Sequence, residues 1–112
     1  MKRLVLALAI VLMMVSFAWA DSYEAVTIDS TTGGVALTAS RYGEAKWAMC
    51  RLETAEIRYT LDGTTAPTAS VGAVLEPMEW LMLESAKRIR NFRGFATGSS
   101  SGNLKCFYFE QE

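Results

Sequence analysis

Histidine is missing from all 112 residues of the chain. Its absence removes the commonest general base and the commonest transition-metal ligand together. Serine and threonine hydroxyls are present, but without a histidine beside them none has an evident activator. Basic excess is also lacking, with 11 Lys and Arg against 12 Asp and Glu. Nucleic acid is therefore not expected as a partner, because phosphate contacts need a basic surface. Asp62-Gly63-Thr64-Thr65 lacks the repeated carboxylates of a calcium loop and the lysine of a phosphate loop. It reads instead as a turn whose aspartate caps its own backbone. These absences lead to a non-enzymatic chain with no metal site and no cofactor.

The first 20 residues carry the clearest signal. Met1-Lys2-Arg3 is a positive start, Leu4 to Val15 is unbroken apolar sequence, and Ala18-Trp19-Ala20 supplies the small residues of a cleavage site. Residues 1–20 read as a signal peptide leading into a mature domain over 21–112, with export to a periplasmic or extracellular compartment. The 17 uncharged residues from Leu4 to Ala20 reach the low edge of the about 17–25 that span a bilayer. Contact with the membrane is thus expected only through this segment, if it is retained. Without Lys2 and Arg3 the mature chain holds 9 basic and 12 acidic residues, a net charge of −3.

Only two cysteines occur, Cys50 and Cys106. In an oxidising compartment they admit one intramolecular pairing. Closing that loop of about 57 residues stabilises by about 4 kcal/mol on the chain-entropy estimate. A mature chain this short forms one domain with a thin core, so such a device is expected.

The mature part alternates short extended stretches with turn chemistry. Val26 and Ile28 share one face of a first strand, and Ser30 to Gly34 is a turn. Strands follow over 46–53 and 55–61, the second with Ile57, Tyr59 and Leu61 on one side. Thr64 to Gly72 is a loop, Ala73–Leu75 and Trp80–Leu83 are short strands, and 92–97 and 104–109 complete the set. Ser85 to Asn91 fits a helical turn or a polar strand, and its cations suggest a solvated edge. The expected fold is all-β: a single small antiparallel sandwich or jelly-roll-like domain, with no substantial helix beyond the signal segment.

Three strands are apolar on both faces, where a half-buried strand should keep one face polar. Trp47 and Met49 oppose Ala48, Cys50 and Leu52. Trp80 and Met82 oppose Leu81 and Leu83, and Phe107 and Phe109 oppose Leu104, Cys106 and Tyr108. One interior does not easily hold both sets. The set of Trp47, Met49, Trp80, Met82, Phe107 and Phe109 either lies under loops or forms a patch for self-association or a protein partner. Trp47 and Trp80 are also candidates for stacking on a glycan, against the ordinary role of tryptophan in a core.

Ile57-Arg-Tyr-Thr-Leu-Asp-Gly-Thr-Thr-Ala-Pro-Thr-Ala-Ser-Val-Gly72 resembles the core stretch of small β-sandwich proteins of tailed phages and prophages. Asn91-Phe-Arg-Gly-Phe95 and Leu104-Lys-Cys-Phe-Tyr108 look like the later pieces of that pattern, so the likeness spans about residues 46–109. It implies a virion-associated or virion-derived structural domain that assembles through protein contacts. The Tyr59-Thr-Leu-Asp-Gly-Thr-Thr65 run is also similar to the Fn3-like accessory β-sandwich of chitinolytic enzymes, a spacer or carbohydrate-binding module.

Overall fold

The computed structural model describes residues 20–111, and the expected leader, Ala20 apart, lies outside them. Seven strands run in chain order: β1 (Ser22–Ile28), β2 (Trp47–Glu53), β3 (Ile57–Thr60), β4 (Ala73–Leu75), β5 (Trp80–Leu83), β6 (Arg93–Ala96) and β7 (Gly102–Phe109). They form two antiparallel sheets, one in the order β1-β7-β2-β5 and the other β4-β3-β6. The all-β sandwich expected from the turn spacing is what the chain adopts.

Two links join the sheets at one corner. After Ile28 the chain leaves the larger sheet, and the Asp29 carbonyl accepts from the Ala96 amide of β6 at 2.9 Å. Val35 then pairs with Gly94 as an isolated bridge, through bonds of 2.8 and 2.9 Å. Val35 thus makes a single rung beside β6 on the edge of the smaller sheet. Where β7 begins, it passes so close to the segment before β3 that a Cβ on Gly102 would lie 2.6 Å from the Ile57 side chain. Only glycine fits that crossing.

The core follows from strict alternation. β2 buries Ala48, Cys50 and Leu52, while β7 buries Leu104, Cys106 and Tyr108. Val26 and Ile28 from β1 and Leu81 and Leu83 from β5 complete that inner face. Ile57, Leu75 and Ala96 oppose them from the smaller sheet, with Phe92 and Ile89 between. Each fully buried aliphatic or aromatic side chain of this kind contributes roughly 1.5–3 kcal/mol.

Two short helices depart from the expectation of none beyond the leader. α1 (Ala39–Tyr42) is one turn, stopped at Gly43 with φ 46°. α2 (Ala86–Asn91) settles the ambiguous cationic stretch as helix rather than edge strand. Ser85 caps it, its Oγ accepting from the Arg88 amide at 3.1 Å, and Ile89 is its one buried side chain. Lys87, Arg88 and Arg90 consequently project into solvent.

Candidate functional site

Cys50 and Cys106 are register partners on β2 and β7 and are joined by a disulfide. Both are fully buried. The bond therefore staples neighbouring strands of one sheet from its inner side. It does not bridge the two sheets.

The same alternation that turns these cysteines inward turns a second apolar set outward. Trp47, Met49, Trp80, Met82, Phe107 and Phe109 all lie on the outer face of the four-stranded sheet, and Tyr23 of β1 joins them. Among the described residues none of them is buried: Trp80 is 50% exposed and Met82 and Tyr23 are each 43% exposed, and Trp47, Met49, Phe107 and Phe109 are half-buried. Trp80 is accordingly not the core tryptophan that composition alone favours, and Trp47 is half-buried.

Register arranges the face in rows that cross the strands. A central row runs Tyr23, Phe107, Met49, Met82 over β1, β7, β2 and β5. On one side of it, Phe109 faces Trp47 with the rings stacked at 3.9 Å and inclined by 8°. The Trp47 indole N–H donates to the Gln111 carbonyl at 2.7 Å, which fixes that ring. On the other side the row is Ala25, Lys105, Arg51, Trp80. There the Arg51 guanidinium stands 5.5 Å from the Trp80 ring centre, within cation–π range. Its Nε is buried with no hydrogen-bond partner. Beyond it Lys105 pairs with Glu53 at 2.6 Å, and that carboxylate raises the lysine pKa above its ordinary value.

Two open grooves cut the face. One, of about 610 Å³, is lined by Lys46, Trp47, Met82, Glu84, Ser85 and Ala86. The other, of about 440 Å³, is lined by Tyr23, Arg51, Glu53, Trp80, Lys105 and Phe107. Both are mixed in chemistry, with a cation, an acid and aromatic walls.

Polar groups elsewhere serve the fold. Asp62 accepts from the Thr65 hydroxyl at 2.6 Å and from the Thr65 and Thr64 amides at 2.9 and 3.0 Å, the self-capping turn read from the sequence, and these bonds hold its carboxyl well below the usual range. Arg58 reaches the Ala69 and Gly72 carbonyls, bracing the loop before β4. Glu24 is the one the alternation should have revealed: it shares the parity of Val26 and Ile28 and is buried with them. Its Oε1 accepts from the Thr38 amide at 3.0 Å and from the Tyr108 hydroxyl. Burial first, and the bond to Glu24 second, push the Tyr108 phenol far above its ordinary pKa. Glu56 and Glu76 share a hydrogen bond between carboxyl groups; it lowers the pKa of Glu56, which Thr97 also holds at 2.8 Å, and raises that of Glu76. Among the described residues no three His, Cys, Asp or Glu side chains gather as a metal would require, and no helix is long and apolar enough to cross a membrane.

No family model, curated protein or solved structure matches the chain.

Proposed function

We propose that the chain is an exported, non-enzymatic interaction domain that works by protein contact through the outer face of its four-stranded sheet. The observation that carries this reading is the central row and its flanks, in which seven large apolar side chains on one face have no covering layer among the described residues. Solvent-facing sheet surfaces ordinarily alternate to polar residues. Contiguous apolar faces of this size mark contact surfaces. The Cys50–Cys106 bond accords with an oxidising compartment, and the phage-like motif over residues 57–72 accords with a domain that assembles by protein contacts.

A photo-crosslinking amino acid in place of Met82, in the host cell, tests the reading. Protein adducts are expected there and not from the same substitution at Val74 on the smaller sheet. No adduct from Met82 would overturn the reading.

One observation favours a glycan as the second reading. Trp80 is half-exposed beside Arg51, Glu53 and Lys105 in one groove, which places a stacking platform next to hydrogen-bonding groups. Retention on a glycan array that is lost in Trp80→Ala would move the function to carbohydrate binding.

A further inference from the structure

We infer that the protein partner of this face is a second copy of the chain, packed face to face about a two-fold axis lying along the Tyr23–Phe107–Met49–Met82 row. The inference rests on the reading of the face as a protein-contact surface and names its occupant. A two-fold interface must be complementary to itself, and the rows meet that condition in one orientation.

With the axis along the central row, that row meets its own copy, apolar on apolar. The flanking rows exchange, because the rotation reverses the strand direction. Trp47 and Phe109 of one copy then face Arg51 and Lys105 of the other, an aromatic row against a cationic one. An axis parallel to the strands would instead set each row on itself and bring Arg51 and Lys105 against the same pair of charges. Like charges meeting in an interface disfavour that alternative.

The grooves agree with this choice. Arg51 comes over the groove lined by Trp47, Met82 and Glu84 of the other copy. That groove offers an aromatic wall and a carboxylate to one guanidinium. Glu84 is available for it: among the described residues its only ion pair is a long, exposed one to Arg88 at 3.8 Å. The two-fold makes the contact twice.

Area sets the strength. Four strands about 4.8 Å apart and three rows about 7 Å apart give a face of roughly 400 Å² in projection. A standard interface buries about 800 Å² per partner. The pair therefore belongs among weak dimers whose population follows concentration.

Sedimentation velocity on the protein purified after expression from its complete coding sequence tests this, over about 1–300 µM. The dimer fraction should rise across that range. Met82→Glu, at an exposed position where folding is not at stake, should leave a monomer throughout. Arg51→Glu should weaken the dimer roughly tenfold, and Arg51→Glu combined with Glu84→Arg should recover most of that loss. Such recovery is not expected if Arg51 only supports the fold of its own chain. A monomer at every concentration, a dimer indifferent to Met82→Glu, or a double variant no better than Arg51→Glu would overturn the inference. If the protein is monomeric while the Met82 crosslinker captures a different protein, self-pairing falls and the contact face stands. If no adduct forms at all, both fall, and a monomer retained on glycans through Trp80 replaces both.

Discussion

Tyr108 and Glu24 form the buried polar pair of the core, and each depends on the other for a partner. The tyrosine hydroxyl donates to a carboxylate whose other bond, from the Thr38 amide, fixes the loop before α1. Removing the hydroxyl leaves the buried carboxylate short of a donor, which costs about 1–3 kcal/mol. Tyr108→Phe should lower stability by that amount in urea unfolding with the dependence on urea unchanged; an unaltered midpoint would contradict the pairing. Glu56 and Glu76 add a pH dependence to the fold. Glu76, raised in the fold, contributes stability below the ordinary carboxylate range that is lost as pH rises through its folded value. Glu56, lowered in the fold, contributes stability above that range that is lost as pH falls through its folded value. Near neutrality the Glu76 charge therefore opposes the fold, whereas the charge of Glu56 is held by its hydrogen bonds. Glu76→Gln should unfold at a higher temperature than the native protein at about pH 7, the difference closing as pH falls below the carboxylate range. Equal melting temperatures at both ends would show that the two carboxyl groups do not interact.

Strands 47–53 and 102–109 set the character of the molecule, because both place apolar residues on both parities. Inward, they carry the disulfide, sealed from solvent at both cysteines. Reductant should therefore act only when the strands open, and replacing both cysteines by alanine should cost about 2–4 kcal/mol. Rapid reduction of the native protein under mild conditions would contradict the burial. The clearest alternation in the sequence is that of residues 56–61; in these two strands parity still states which side chains share a face, though the last one begins at Gly102 rather than at Leu104. Patterning does not state which face is inside. On the sequence alone the outward set stands open between loops and solvent; among the described residues no layer lies over it. The helix at 86–91 is ambiguous for a different reason: Ile89 is its one buried side chain, and with Ala86 the only other apolar residue in six there is too little to show a period. Ser85 as its cap was the available signal. The rung at Val35 was equally hidden, being a single pair imposed by the chain's passage from one sheet to the other.

At the scale of the whole molecule, one sheet has two apolar faces and the fold fills only one of them. The smaller sheet covers the inner face with Ile57, Leu75 and Ala96. The outer face is left with aromatic, methionine and arginine side chains, the composition of contact surfaces rather than of idle ones. Hydroxyl-radical footprinting of the protein in the compartment it reaches, against the purified protein at high dilution, tests that claim most directly. Trp80, Met82 and Tyr23 should be protected in place, with Tyr59 and Val74 of the smaller sheet labelled alike in both settings. Equal labelling of Trp80 and Met82 in the two settings would mean that nothing covers the face, and the contact surface would be refuted.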